Sequence, residues 1–417
     1  FCIGVPPSIA FNWKLELERF CPDFKVLEYF GVDRQTNFED YDVVLTTYEI
    51  VRRDIDILKK QKFGVAIFDE VQVIKNILAE RTNAARKLGA GFNICLTGTP
   101  LENHLGEYYA TMDLAVPGLL GKYSEFNKVI KGGFALDNNH DKLEKKRMRQ
   151  ITRYLDRAKP FMLRRNKSSV LKDLPPKTET EVYLELSDRQ KELYQGIVQE
   201  VKQSIDDAYS KHIAPRARAV ALTALIRLRQ VCLSPKIIDP DYDEPSPKIL
   251  YLAQKLKELK EEGHSVLVFS QFTSFLDVVQ SYLKEESLNC LRMDGKTPVK
   301  KRKTLVTQFQ ESVEPACFLI SLKTGGIGLN LTKASYVFHL DPWWNPQVEN
   351  QATDRAHRIG QKQNVFVMRL LTRFTVEEKM MQLKQGKRDL FSSIVDEGLG
   401  AVSNTKLSKD DFLYLCS

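Results

Sequence analysis

Two carboxylates in succession, Asp69 and Glu70, follow directly on the apolar run Val65-Ala66-Ile67-Phe68. Such a run reads as a buried strand, so the pair is expected at a strand's carboxyl end, where open α/β sheets bind their ligands. Adjacent carboxylates there suit a hard divalent cation and a water molecule. In nucleotide hydrolysis one carboxylate holds the metal, usually through water, and another positions or deprotonates the attacking water. The expected assignment is Asp69 to Mg²⁺ and Glu70 to the water. An isolated Asp-Glu pair more often starts a loop or caps a helix, so the assignment needs support from the rest of the chain.

A second group lies in the string Gln351-Ala352-Thr353-Asp354-Arg355-Ala356-His357-Arg358-Ile359-Gly360-Gln361. Asn345-Pro346 ahead of it predicts an N-cap and a first helical residue, and Gly360 predicts the stop. On one such helix Gln351, Arg355 and Arg358, spaced by four and three, share a face and can reach a common target. Guanidinium groups carry a permanent charge and forked donors suited to a transferring phosphoryl group, so Arg355 and Arg358 are expected to act as arginine fingers across a cleft between two lobes. A solvated basic face is the plainer alternative for two arginines at this spacing. Further along, Ser321 to Thr332 follows another apolar run, and its glycines allow backbone to approach phosphates or a nucleic-acid strand.

Asp69-Glu70-Val71-Gln72, followed by Leu96-Thr97-Gly98-Thr99-Pro100 and by the 351–361 string, resembles motifs II, III and VI of the Swi/Snf family within helicase superfamily two. Other pieces fall in family order: Pro6-Pro7-Ser8 with Asn12-Trp13, Thr46-Thr47-Tyr48, Ser270-Gln271-Phe272, Asp294-Gly295, then 321–332. The resemblance covers nearly the whole chain. It implies ATP and Mg²⁺ as cofactors, with Gln72, Gly328 and Gln351 toward the nucleotide and Thr97 and Thr99 coupling the nucleotide pocket to DNA movement. Gln72 stands where the commoner box has His, as in a variant familiar from prokaryotic members. The resemblance further implies Ser8, Thr46, Thr47, Gln271, Lys323 and Thr324 as DNA contacts. For Trp344, in Asp341-Pro342-Trp343-Trp344-Asn345-Pro346, stacking on a base or sugar competes with core packing.

By the same resemblance the track is double-stranded DNA, followed mainly through one strand's phosphates and with little sequence preference. DNA-bound proteins are possible substrates, and the motor is expected to work as a monomer inside the cell. Two rivals stay open: a nucleotide-dead remnant that grips DNA, and a strand-separating DNA or RNA helicase. No GxxxxGK[ST] string occurs in the chain. In the family that loop lies just ahead of the Pro6 motif, so the loop and its strand are expected before Phe1, leaving the first lobe incomplete and these residues alone weak in turnover.

The elements that must position these groups are legible in outline. A chain of 417 residues allows two or three domains. Its 43% hydrophobic and 28% charged residues fit a globular protein, and a net charge of +8 is mild for a nucleic-acid binder. The seven cysteines include no CxxC pair, which points away from a zinc site or disulfide framework and toward a reducing compartment. No apolar stretch is long enough to span a bilayer, and no membrane partner is expected. Apolar runs at 41–47, 65–68 and 93–97 predict one parallel sheet wrapped by helices; runs at 266–269, 290–293, 317–320, 336–338 and 365–368 predict a second. Between them the chain is basic from 141 to 173 and helical in pattern from 188 to 231, without strand signals.

The expected fold class is therefore α/β, and the resemblance makes it two RecA-like lobes joined by a helical insertion. The expected segments are a first lobe at 1–140, insertion and linker at 141–244, a second lobe at 245–374 and a helical extension at 375–417. Thr375 with Glu378 reads as a capping box opening a helix toward Asp396.

Overall fold

Among the described residues, short runs rich in β-branched and apolar residues form eleven strands, and every pairing between them is parallel. The computed structural model describes residues 1–7, 9–31, 34–74, 76–77, 79–98, 105–131, 140–163, 165, 174–210, 214–325, 329–343 and 346–382, with the side chains of all but 131, 140–148, 204–210, 214–222, 299–300, 323, 325 and 346–347. The chain divides into two compact units, the described residues up to 165 and those from 174 to 382. No described helix is long and apolar enough to cross a membrane.

The first unit holds β1 (Cys2–Val5), β2 (Val26–Tyr29), β3 (Val43–Thr47), β4 (Val65–Phe68) and β5 (Phe92–Cys95), in the order β2-β3-β1-β4-β5. Parallel neighbours need crossovers, here made by helices that include α1 (Ala10–Phe20) and α2 (Tyr48–Arg53). All five residues of β3 are buried, as expected of a strand covered on both faces. Val44, Ile50, Phe68 and Leu88 share one core.

The second unit holds β6 (Lys177–Leu184), β7 (Ser265–Ser270), β8 (Cys290–Met293), β9 (Cys317–Ser321), β10 (Ala334–His339) and β11 (Val365–Thr372), in the order β6-β11-β10-β7-β9-β8. Its central strand shows how side-chain alternation builds a sandwich. Val266 and Val268 pack with Leu256, Phe275 and Leu276 on one face. Leu267 and Phe269 pack with Phe309, Ala352 and Val365 on the other. Burial on both faces excludes water along the whole strand.

Two expectations need correction. β6 lies inside the stretch that carried no strand signals, and it pairs with β11 from Lys177↔Val365 to Leu184↔Thr372. Its sequence KTETEVYL is mostly exposed, so an edge strand with charged residues lacks the apolar run that marks a buried one. The capping box at 375 is also displaced by one residue. Thr375 Oγ1 accepts from Glu377 N at 3.2 Å, but Glu378 accepts from Phe374 N at 2.7 Å rather than from the cap itself. The helix that follows is described over 376–382, and the remainder of the run toward Asp396 lies outside the described residues.

One ion pair ties the second unit together. Lys248, at the start of the helix Pro247–Glu261, is fully buried with Glu377. Lys248 Nζ donates to Glu377 at 2.7 and 2.9 Å, to Leu340 O at 2.6 Å and to Leu370 O at 2.9 Å. Glu377 also accepts from Thr372 N at 2.9 Å and Thr372 Oγ1 at 2.6 Å. Charges taken from water this completely are tolerated only when their hydrogen-bonding capacity is filled. Lys248→Met is expected to cost about 3–5 kcal/mol, on the order of 10 °C in the melting of this unit, because Glu377 is left charged and buried. The double variant Lys248→Met/Glu377→Gln is expected to recover about half of that loss in the same thermal melt.

Candidate active site

Asp69 and Glu70 stand where β4 ends. Asp69 N donates to Gly4 O of β1 at 3.0 Å, and Val71 N donates to Leu96 O beyond β5 at 3.1 Å, so the pair is held between two neighbouring strand ends. Glu70 turns the chain with φ +50°, in the left-handed region that residues other than glycine seldom enter. Asp69 Oδ1 accepts from Glu70 N and Oδ2 accepts from Trp13 Nε1, each at 2.8 Å. Tyr48 donates its hydroxyl to Asp69 O at 2.5 Å. Burial, and then the charge of Asp69, pushes the Tyr48 hydroxyl well above its ordinary pKa, which keeps the proton on the donor.

A second chain of contacts leads from Glu70. The Gln72 amide donates to Glu70 Oε2, and Gln72 Oε1 accepts from Thr97 Oγ1 at 2.8 Å. Gln72 was expected to face a nucleotide; its amide bridges the acidic pair and the segment after β5. Trp13 and Tyr48 are contributors that sequence reasoning passed over. Both lie in the quoted motifs, but nothing in residue type or spacing aims an indole or a phenol at Asp69.

The donor set fits Mg²⁺. This ion is usually held by one or two carboxylates together with phosphates and water rather than by an all-protein cage. Each Asp69 oxygen accepts one hydrogen bond in the contacts above and has a second lone pair for a metal-bound water. Among the described residues no group of three or more His, Cys, Asp or Glu could form a cage of its own.

The segments expected to meet DNA in this unit divide. Thr46 is fully buried, and its hydroxyl donates to Tyr29 O at 2.9 Å; the expectation of a DNA contact from its side chain gives way to a role in joining β2 to β3. Thr47 Oγ1 caps α2 by accepting from Ile50 N at 3.4 Å. Ser8 and Thr99 lie outside the described residues.

In the second unit the helix expected through 351–360 ends early. It spans Pro346–Thr353, and Asp354–Gly360 are turns and bends. The physical reason lies in two backbone carbonyls, needed for another helical turn, that other donors claim. Arg355 O accepts from Leu331 N at 3.0 Å, and Ala356 O accepts from Gln361 Nε2 at 3.0 Å. Thr353 Oγ1 lies 2.9 Å from His339 Nε2, and His357 Nε2 lies 2.8 Å from Pro175 O. Gly360 takes φ +100°, as its predicted role of ending a segment requires. Gln351, Arg355 and Arg358 therefore do not share one helical face. Arg355 is 8% exposed, whereas Arg358 and Gln351 are half-buried.

Thr324 is buried, and its hydroxyl accepts from Ser321 Oγ at 2.8 Å. That bond holds the turn after β9, so an outward contact by the Thr324 side chain is not what this structure shows. Lys323 lies on the short helix Leu322–Gly325, with its side chain outside the described set. Gly328 and Trp344 also lie outside it. Gln271 is half-buried, and its Nε2 is buried with no hydrogen-bond partner among the described residues. Its backbone is held firmly: Asp341 Oδ1 accepts from Gln271 N at 3.2 Å and from Ser270 Oγ at 2.6 Å. Arg229 Nη2 stands 3.5 Å from Asp341 Oδ2 and donates to Pro342 O at 2.5 Å, with its guanidinium 5.4 Å from the Phe272 ring centroid. Arg229 is one of four arginines in the helical stretch Ala214–Leu233, and nothing in the sequence marked it as the residue joining these two segments.

A family model described as the SNF2-related domain matches residues 1–237, and one described as the helicase conserved C-terminal domain matches 247–360. The chain is 34% identical to an uncharacterized ATP-dependent helicase of Mycoplasma genitalium, covering 99% of this chain and 39% of that protein. It is 34% identical to the human SWI/SNF-related matrix-associated actin-dependent regulator of chromatin subfamily A member 1, covering 99% and 40%. It thus spans about two fifths of the length of these curated relatives. Among solved structures, the Sulfolobus solfataricus SWI2/SNF2 ATPase core in complex with dsDNA is 32% identical over 99% of this chain and 85% of that one, with a TM-score of 0.49.

Burial raises the Asp341 carboxyl from 3.8 to about 6, against the pull of Arg229. The sign follows from proton counts: between pH 3.8 and about 6 the folded chain keeps a proton that the unfolded chain has lost, so this group's contribution to stability falls as pH rises through that window. Asp341→Asn does not titrate and serves as the baseline. The stability of the natural protein relative to Asp341→Asn is expected to drop by on the order of 2 kcal/mol from pH 4 to pH 6.5 in urea unfolding, and a flat difference would refute the assignment.

Proposed function

The chain belongs to the SNF2-related family, the Swi/Snf branch of helicase superfamily two, and from that premise we propose that it forms the motor of an ATP-dependent translocase on double-stranded DNA. The observation that carries the proposal is the acidic pair at the end of β4, with Asp69 fixed by Trp13 and Tyr48 and Glu70 joined through Gln72 to Thr97.

In this proposal Asp69 holds Mg²⁺ through water, and the ion, when bound, offsets charge on the nucleotide phosphates. Glu70 orients the attacking water and accepts its proton. Gln72 keeps the Glu70 carboxylate in register with Thr97, so a change at the nucleotide reaches the segment after β5. Arg355 and Arg358 supply positive charge to the transferring phosphoryl group. Gln351 and Gly328 remain proposed nucleotide contacts.

For DNA, the proposed contacts are Ser8, the backbone at 46–47, Gln271, Lys323, the backbone at 324, and Trp344. The Gln271 amide, without a partner among the described residues, supports a ligand at that point, since buried polar groups rarely stay unsatisfied. Such contacts go mainly to phosphates, so binding carries little sequence preference. The proposed setting is intracellular, with the motor acting as a monomer on proteins bound to duplex DNA.

Duplex DNA is expected to stimulate ATP hydrolysis. Glu70→Gln should lower that rate by about 10²–10⁴-fold and Arg358→Ala by on the order of 10³-fold, both with duplex affinity retained. Two duplexes of unrelated sequence should bind alike and weaken together as salt rises, with a loss of roughly 10³-fold or more between 50 and 200 mM salt. Hydrolysis indifferent to duplex DNA, or rapid separation of a forked duplex, would count against a translocase.

A further inference from the structure

The two segments proposed to meet DNA in the first unit share a feature that DNA contact alone does not require. Each runs from a strand end into a helix and places an aromatic side chain with a polar tip on the same residue. Pro6 leads from β1 into α1, where Trp13 Nε1 donates to the Asp69 carboxylate at 2.8 Å. Thr46-Thr47 leads from β3 into α2, where the Tyr48 hydroxyl donates to Asp69 O at 2.5 Å. We propose that Trp13 and Tyr48 are positioning residues through which DNA at these two segments sets the orientation of the metal-holding carboxylate of Asp69. The proposal rests on the reading of the chain as a DNA-stimulated ATPase and adds the route by which stimulation reaches the acidic pair.

Short, rigid links favour this route. Ile9 N donates to Pro6 O at 3.1 Å and Trp13 N donates to Ile9 O at 3.0 Å, so one continuous hydrogen-bonded run joins the turn after β1 to the indole. On the other side Thr47 Oγ1 accepts from Ile50 N and fixes Tyr48 as the first residue of α2. A backbone shift at 6–9 or 46–47 is transmitted to the donors with few intervening rotations. Both tips approach Asp69 as donors, and an indole N–H can do nothing else. The indole fixes the rotation of the carboxylate, and the phenol fixes the backbone that carries it. Hydrogen bonds weaken steeply with misalignment, so a displacement of about 1 Å at either aromatic changes how the carboxylate faces the ion.

The direct test needs no turnover. Three tryptophans in the chain give three indole N–H signals in a protein labelled with ¹⁵N-tryptophan, and Trp13→Phe identifies one of them. Asp69→Asn should move the Trp13 signal. Duplex DNA added without nucleotide should move it as well, and Mg²⁺ should move it again. In hydrolysis assays Trp13→Phe should lower kcat by about tenfold and raise the half-saturating Mg²⁺ concentration severalfold, as loss of a ligand's hydrogen-bond partner does elsewhere. Duplex affinity, measured by anisotropy of labelled DNA, should stay within about twofold. Tyr48→Phe should have the same sign of effect. An indole signal indifferent to DNA, or a Trp13→Phe protein with unchanged kcat and Mg²⁺ dependence, overturns the proposal. If the natural protein shows no DNA-stimulated hydrolysis yet its Trp13 signal answers to DNA, the link to Asp69 stands and the functional reading is what has failed.

Discussion

Parallel strands buried on both faces leave polar side chains almost no place along their length. That constraint organises both units. In the first sheet Thr46 and Thr47 close β3 and Asp69 follows β4. In the second, Ser270 closes β7, Ser321 closes β9, Asp341 comes soon after β10 and Thr372 closes β11. The interior strands supply the rigid frame, and the chemistry collects along one rim because only there does the backbone turn toward polar surroundings. Groups placed on such a frame are held more narrowly than groups on free loops.

The same rule explains what could be read from the sequence. Apolar runs marked β3, β4, β5 and β7 to β11, and the Asp-Glu pair stood out because it ended one of them. The strands passed over, β2 and β6, both lie at a sheet edge. There one side of the strand meets solvent, and residues such as Glu28, Glu179 and Glu181 interrupt the apolar signal. Helical spacing misled at 354–360 because periodicity reports only local preference. The turn there is imposed by partners distant in sequence, Leu331 and Pro175. The position of Asp69 was legible, but its surroundings were not, since the aim of Trp13 and Tyr48 depends on how two crossovers bring their helices back over the sheet.

Charge is treated differently at the acidic pair of the first unit and in the core of the second. In the first, the Asp69 carboxylate is partly exposed and hydrogen-bonded by neutral groups, namely an indole and a backbone N–H. Neutral donors hold a carboxylate without cancelling its charge, which leaves it able to attract a cation. In the second, Lys248 and Glu377 neutralise each other in full burial, and Asp341 leans on Arg229 and Ser270. Such pairs add little net stability over apolar packing, but a misaligned alternative leaves a bare charge, so they penalise wrong arrangements of the elements they join.

Glu70 combines a side chain proposed to act on water with an unfavourable backbone. A residue with a Cβ held at φ +50° costs roughly 1–2 kcal/mol relative to relaxed geometry, and glycine at the same place removes most of that cost. Stability and the proposed chemistry thus pull in opposite directions on a single codon. A population of variants screened for heat tolerance alone would drift toward glycine there and shed the carboxylate proposed to orient the attacking water.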